Sequence, residues 1–482
     1  MSTFSGLSTA LSSLNAQRQS LEVSGQNVAN ANTVGYTRQR ADLTSVEPLA
    51  AASLFSGGLS TGSGVRVGGI TRLGDIFLDA RVRSETGSAA YAATRAETYA
   101  RLESTIAEPT DRGVSHALTT FWAGWQDVGN SPNSDSARAV LLESATALAD
   151  RISSGYAAVS TQWSQARTEL TTALTEVNTT ASGVAQLNEQ IRGVLASGGS
   201  ANELIDQRDV MITSLSRMVG ANATHREDGT VDVMLAGNAL VRGDEANAIE
   251  VRPGSADTLA ESGKGVTLQW AGNGTPVGAG SGEVLALVSA LAPAGDEGIL
   301  AKAAASYDAI AATLVTQVND IHKASFTTSG APGGDVFGPT DPASAKDLHV
   351  ALAGIADIAV AGGVDVTVDG VVTRRPKGTL DGSAADTMAT LGASTTGPDA
   401  DWSTFVVGLG VQSRSSTQRA AVTEATRATA EKLQLSTASV DIDEESVNML
   451  AYQRAYEGAA RVLTAIDEML DTLINRTGVV GR

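Results

Sequence analysis

From Phe4 to about Asn30, apolar residues fall at Leu7, Leu11, Leu14, Leu21 and Val28, alternating three and four apart, with Arg18 and Gly25 on the same line. This is the heptad pattern of a helix made to lie against another helix. The C-terminal stretch carries a counterpart in Val462, Ile466, Met469 and Leu473, flanked by Leu463, Leu470 and Ile474, so the two ends are expected to meet. Arg18 and Glu22 are the only charges of the first helix; the rest of its polar face is Ser, Thr, Asn and Gln. Ser and Asn compete with a helix by bonding its backbone, so this helix is marginal alone and relies on packing. Two readings follow: a helix that orders when it meets neighbouring molecules, or an amphipathic helix packed on its own domain.

Between the ends, helical and strand-like periods alternate. After Arg40 the chain is Gly- and Ser-rich, with Val65-Arg66-Val67 as a strand candidate, and reads as an extended connection or hairpin. Helical spacing returns from Asp75 to Glu108, and again over about Asp135 to Leu195 through Leu148, Ile152, Val159, Trp163, Leu170, Val177, Val184 and Ile191. A helix that long, about 90 Å at 1.5 Å per residue, belongs to a rod-like bundle. Ser197-Gly198-Gly199 ends it, and another helix runs from Asn202 to about Val219. Short apolar runs punctuated by Gly and Asn, such as Thr230–Leu235 and Val266–Trp270, predict an inserted β-domain. Helical spacing resumes from Ile299 to His322, and residues 326–400 read as a small irregular lobe with Leu348–Val350 and Val364–Val368 as strands. Trp402 opens a further helix to about Leu435, and Ser436–Asp443 is a hinge into the last helix, stopped by Gly478. With Asp443 as N-cap, Ile442 and Val447 have the spacing of a hydrophobic staple, and Glu444 and Glu445 lie where the helix dipole favours negative charge.

The expected fold is mainly α with inserted β: terminal coiled-coil helices, an elongated helical bundle and small β-rich lobes. Its expected parts are residues 1–40 paired with 440–482, a helical rod of 41–220 completed by 296–325 and 401–439, an inserted β-domain of 221–295, and a lobe of 326–400.

Composition narrows the function. The 482 residues carry a net charge of −19, with 42% hydrophobic and 18% charged residues. That balance fits a globular protein and argues against binding nucleic acid or an anionic membrane surface. No cysteine is present, so disulfides and thiolate metal sites are excluded. No run approaches the eighteen apolar residues of a membrane span, and the N-terminus lacks the basic and apolar regions of a Sec signal peptide. Taken at face value this means a cytoplasmic protein.

Candidate chemistry is sparse. Gly58-Leu59-Ser60-Thr61-Gly62 fits G-x-S-x-G, but a nucleophile elbow needs a buried strand, a following helix and a placed His and acid; a Gly/Ser-rich stretch produces the match by accident. His116, His225, His322 and His349 are scattered and form no ligand set. Asp441, Asp443, Glu444 and Glu445 lack the Gly and closing Glu of a calcium loop and are read as capping residues. Trp122 and Trp125 are read as core rather than as a ligand platform. No catalytic, cofactor or metal residues are assigned.

The sharpest signal is Asn27-Val28-Ala29-Asn30-Ala31-Asn32-Thr33-Val34-Gly35-Tyr36. Asn and Gly tolerate positive φ, so the run suits a helix end turning into extended chain. It resembles the N-terminal signature of the bacterial flagellar axial proteins of rod, hook and hook–filament junction, with every position filled; Thr37–Arg40 is similar to the junction branch. Val440–Tyr456, with its acidic helix start, Tyr452-Gln453 and Ala455-Tyr456, resembles the family's C-terminal motif, and Leu204–Asp209 is similar to a further stretch of the junction proteins. The resemblance implies a structural adapter that self-assembles in a ring or helical array with its terminal helices as an inner tube. It implies as partners the hook protein, a second junction protein and an export chaperone at the C-terminal helix, and export by the flagellar type III route to an extracellular flagellum. The assembly residues are then Leu7, Leu11, Leu14, Leu21, Val28, Asn27, Asn30, Thr33, Gly35 and Tyr36 with Tyr452, Tyr456, Val462, Ile466, Met469 and Leu473. Another axial component, of hook or distal rod type, is the alternative; a secreted hydrolase would need an acid/base constellation that the sequence does not show.

Overall fold

A computed structural model describes residues 3–46, 62–278, 280–369 and 371–475. Helix α1 spans Thr3–Asn30, and strands β1 (Gln39–Ser45) and β2 (Val65–Arg72) follow as an antiparallel hairpin. Four helices come next: α2 (Ile76–Ile106), α3 (Val114–Asn130), α4 (Asp135–Ala196) and α5 (Asn202–Val219). Strands β3 (Asn222–His225), β4 (Val231–Leu235), β5 (Asn238–Arg242), β6 (Glu245–Ala246), β7 (Ile249–Val251) and β8 (Leu268–Trp270) lead to α6 (Glu283–Ala290) and α7 (Ile299–Lys323). Short strands β9 (Phe326–Thr327), β10 (Phe337–Gly338), β11 (His349–Val350) and β12 (Ala359–Ala361) precede a hairpin of β13 (Gly363–Val368) and β14 (Val371–Pro376). Helices α8 (Ser383–Ala389), α9 (Pro398–Ala438) and α10 (Ile442–Asn475) complete the described α-helices and strands. The fold is mainly α with small inserted sheets.

Element ends follow local chemistry. The Asp75 carboxylate caps α2, accepting from the Phe77 and Leu78 N–H groups at 2.8 and 3.3 Å. Gly220, at φ 68°, ends α5 in the left-handed conformation that glycine adopts without a Cβ penalty. Helix α9 opens at Pro398 rather than at Trp402, because proline suits a first helical turn that has no N–H partner. Helix α3 is missing from the sequence reading, although Val114, Leu118, Phe121, Trp122, Trp125 and Val128 recur at helical spacing between Pro109 and Pro132.

The chain forms two compact units. The first comprises residues 1–86, 178–247 and 424–482. Its sheet is the antiparallel meander β3-β4-β5-β6, and β4 alternates buried Val231, Val233 and Leu235 with half-exposed residues, the period-2 pattern of a strand with one face on a core. In the β1–β2 hairpin, Asp42 pairs with Gly69 and Leu43 with Val67, so Gly68 is the extra residue of a bulge.

The second unit comprises residues 87–177 and 248–423. Its core packs Phe121 and Trp125 of α3 with Phe337, and Tyr307 of α7 with Trp402 and Phe405. Trp122 and Trp125 are therefore core residues, and the Trp122 indole donates to Asp399 at 2.7 Å. Among the described helices α7 alone is long and apolar enough to cross a membrane by composition, yet its Tyr307, Ile310, Leu314 and Val318 are buried in this core. His322 is fully buried. Its Nε2 accepts the Ala359 N–H at 2.8 Å, which places the proton on Nδ1, and Nδ1 donates to the Gly334 carbonyl at 2.7 Å. His116, His225 and His349 are exposed, and no metal-holding cluster occurs among the described residues. Four residues of the G-x-S-x-G pentapeptide, Ser60 included, and Gly478 lie outside the described residues.

Candidate assembly interface

Helices α1 and α10 pack side by side in the first unit. Gly6 of α1 lies against Ile466, where an added Cβ would meet the Ile466 Cδ1 at 3.2 Å. Ser20, Val23 and Ser24 share a small cleft with Glu445, Asn448 and Tyr452. Advancing along α1 thus means retreating along α10, and the pair is antiparallel.

The face of α1 that packs is not the leucine seam. Ala10, Ala16, Ser20, Val23, Ser24 and Asn27 are buried, whereas Leu7, Leu14, Leu21 and Val28 are half-buried and Leu11 is 51% exposed. Small side chains let the β-hairpin and α10 approach the α1 backbone closely: Val65 donates its N–H to the Ser12 hydroxyl at 3.3 Å. The signal was in the sequence, since Ala16, Ser20 and Ser24 recur four apart, but leucines dominate a hydrophobic reading.

On α10 the seam divides. Ile466 is 8% exposed and Ala459 is buried, with Tyr452, Leu463 and Leu470 half-buried beside them. Val462, Met469 and Leu473 are each 52% exposed, Val447 and Leu450 are exposed, and Tyr456 is 38% exposed. Ala451, Ala455 and Ala465 continue the stripe of Val447, Val462, Met469 and Leu473 along one side of the helix. The folded chain therefore uses one apolar face of α10 and leaves an adjacent one open. The start of α10 also differs from expectation. Asp441 is the N-cap, its Oδ1 accepting from the Asp443 and Glu444 N–H groups at 2.9 and 3.2 Å, and Ile442 and Val447 are exposed rather than stapled.

The motif residues between α1 and β1 form a polar knot. Asn27 is 1% exposed. Its Nδ2 donates to the Gln39 carbonyl at 2.8 Å, and its Oδ1 accepts from the Gln39 N–H and the Tyr36 hydroxyl, both at 2.9 Å. Asn30 donates to the Gln26 carbonyl at 3.0 Å, and the Thr33 N–H donates to the Asn30 carbonyl at 2.9 Å, shaping the turn. Gly35 takes φ 80° and any Cβ there would collide with Val210 of α5, so only glycine meets both demands.

The other two motifs converge on the same turn. Asp206 accepts the Thr37 N–H at 3.2 Å and pairs with Arg72, which also reaches Asp209 at 2.9 Å; Arg83 closes on Asp209 at 3.1 Å. Arg208, between these acids, points the other way and donates to Asn188 and to the Gly229 carbonyl at 3.1 and 2.8 Å. From the C-terminal motif, Glu445 accepts from Arg38 Nε at 2.7 Å and Glu444 from Nη1 at 3.0 Å. Glu445 is 2% exposed, so Arg38 neutralises a carboxylate that water does not reach. Burial, then the charges of Asp206, Glu203 and Glu445, pushes the Tyr36 hydroxyl up to about 12. Burial also raises the Asp206 carboxyl above the usual carboxylate range, with Arg72 and the Thr37 N–H pulling against the rise. The knot holds and orients backbone.

Comparisons with known proteins agree with this geometry. Residues 99–337 match the family model described as flagellar hook-associated protein FlgK helical domain. Residues 434–476 match the flagellar basal body rod FlgEFG protein C-terminal model, and residues 7–37 the flagella basal body rod protein model. The terminal models are named for rod proteins and the central one for a hook-associated protein. Flagellar hook-associated protein 1 of Bacillus subtilis is 29% identical over 512 aligned residues, covering 100% of both chains. Its namesake from Salmonella typhimurium is 29% identical over 52% of this chain and 44% of that one. In fold, the flagellar hook junction protein FlgK from Burkholderia pseudomallei superposes with a TM-score of 0.62 at 17% identity, over 75% of this chain and 100% of that one. The chain belongs to the hook-associated protein 1 family of flagellar axial proteins, the structural proteins of the hook–filament junction.

Proposed function

We propose that this protein joins hook to filament by assembling copies of itself through the open faces of α1 and α10. The observation that carries the reading is the stripe of Val447, Val462, Met469 and Leu473, exposed on a helix whose other apolar face is already covered. Such a stripe is a liability in a free chain and a ready seam for a neighbour's helix. Leu11, with the half-buried Leu7, Leu14, Leu21 and Val28, adds apolar surface on α1. The motif knot, with Asn27, Asn30, Thr33, Gly35 and Tyr36, sets the angle at which the helix pair leaves the body of its unit, and so the spacing of copies in a ring or helical array.

The division of labour follows the parts read from the sequence. Residues 1–40 with 440–482 assemble, residues 41–220 with 296–325 and 401–439 bear load, and 221–295 and 326–400 are lobes. The hook protein and a second junction protein are the neighbours along the axis. An export chaperone covers the α10 stripe before secretion, and the chain travels by the flagellar type III route, for which freedom from disulfides is suited. The family is one of structural proteins, and the role needs no catalysis.

Replacing Val462 and Met469 together by Asp tests the reading. The isolated protein is expected to keep its circular dichroism and melting temperature while failing to complement a strain lacking the junction protein. Normal filaments built with this variant would refute it.

A further inference from the structure

Helices α2 and α9 flank a cavity of about 490 Å³ in the second unit. Tyr91 and Arg95 of α2 line one side; Gln412, Ser415, Arg419 and Thr423, a run at helical spacing, line the α9 side. Through Gln412 the cavity continues into a second one of about 380 Å³ beside Phe405, where Glu297 is already paired with Lys302 at 2.5 Å. The first cavity is one-signed: its lining holds two guanidiniums and no carboxylate. Arg95 is half-buried and held in place, its Nη1 donating to the Ser289 hydroxyl at 2.8 Å and its head lying 5.8 and 5.9 Å from the Tyr91 and Tyr99 ring centres. Neither Arg95 nor Arg419 forms an ion pair among the described residues. Along the same helices, Glu97 pairs with Arg101 at 3.3 Å, Glu103 accepts from the Ser413 hydroxyl at 2.7 Å, and Glu424 holds Arg427 at 2.7 Å. Other arginines with shielded heads, Arg38, Arg72, Arg83 and Arg138, each have a carboxylate partner within the chain. Two like charges lining one partly enclosed space repel; a carboxylate between them removes the repulsion and gains charge-assisted hydrogen bonds.

We propose that a carboxylate side chain of a second copy of this chain enters the cavity and bridges Arg95 and Arg419 as copies assemble, an inference that rests on the assembly reading above. The sequence supplies the occupant. With 53 acidic residues against 34 basic ones, each copy has carboxylates in excess, and assembly brings a neighbour's surface alongside at high effective concentration. One buried carboxylate is far too small a contact to pair free chains, so the site fills only within the array.

Arg419→Lys keeps the cation and supplies an amine that a water-soluble carbodiimide joins to a carboxylate in contact with it. The amide forms with loss of water, which the carbodiimide takes up as its urea. Arg414→Lys, on α9 but outside the cavity lining, is the control. Junctions built on purified hooks from mixed nitrogen-15-labelled and unlabelled protein are treated, and the adducts mapped by mass spectrometry. The expected result is an amide from position 419 to an Asp or Glu of the other isotope, about tenfold above that from position 414 and absent from the dilute free protein. An adduct confined to its own molecule, one found only on a different flagellar protein, equal yields at both positions, or none at all in assembled junctions overturns the proposal. Citrate that binds the isolated protein at this cavity, with no such amide in junctions, assigns the site to a free anion and equally overturns it. The Val462 and Met469 double variant tests the underlying reading separately: if it assembles normally, that reading fails whatever position 419 captures.

Discussion

Substituting Asn27 by Ala tests whether the signature turn is held by a side chain reading backbone. The amide is buried and satisfies three groups: the Gln39 N–H, the Gln39 carbonyl and the Tyr36 hydroxyl. Alanine leaves the first two without partners, and an orphaned buried polar group costs about 1–3 kcal/mol. The expected local loss is about 2–5 kcal/mol. Global melting is a poor readout for a chain of two units, so native-state hydrogen exchange at the Gln39 amide is the measure. At a factor of ten per 1.4 kcal/mol, protection should fall by a factor of about thirty to several thousand, capped by the stability of the unit. Asn27→Asp keeps an acceptor for the Gln39 N–H and loses the donor to its carbonyl, so it should fall between. Tyr36→Phe removes one bond of the three and should cost about 0.5–1.5 kcal/mol. If Asn27→Ala exchanges within threefold of the native protein, the knot is held by packing and the argument fails.

Arg38→Met should destabilise the start of α10 by about 3–5 kcal/mol, because it strands the buried Glu445. Glu444→Gln, at an exposed carboxylate, should cost under about 1 kcal/mol; equal losses in hydrogen exchange over residues 441–452 would contradict the asymmetry. Ile466→Asp should strip protection from both terminal helices in the isolated protein while Val462→Asp changes it by less than about 0.5 kcal/mol, since only Ile466 is packed against α1. For the second unit, burial holds His322 below its ordinary value of 6.5, against the pull of the Gly334 carbonyl and of Asp335 and Asp357. The folded chain then takes up that proton less readily than the unfolded one. Stability is complete above pH 6.5 and falls as pH drops below it. His322→Phe should lower the melting temperature at pH 7 and flatten this acid limb, and an unchanged limb would assign it to other groups.

What the sequence determined by itself was local. Periods of 3.6 and 2 residues carry the helices and the longer strands, as in the span from Asp135 and in Val364–Val368. The spacing of Asn27, Asn30, Gly35 and Tyr36 requires a turn into extended chain. Tertiary structure decided which apolar residues meet a partner within the molecule. Leu11 and Ala16 lie on one amphipathic helix, and only the approach of the hairpin and α10 buries the small residue and leaves the leucine in water. Likewise Ile466 and Met469 belong to one heptad line, and a rotation of part of a turn about α10 separates the buried one from the open one. Periodicity fixes a face only to within about a quarter of the helix circumference, whereas a close contact such as Gly6 against Ile466 is decided at the ångström scale. The convergence of Thr37, Asp206, Arg72 and Glu445's partner Arg38 on one turn was beyond any local pattern, because ion pairs between residues more than a hundred positions apart are chosen by the fold and leave no spacing to read.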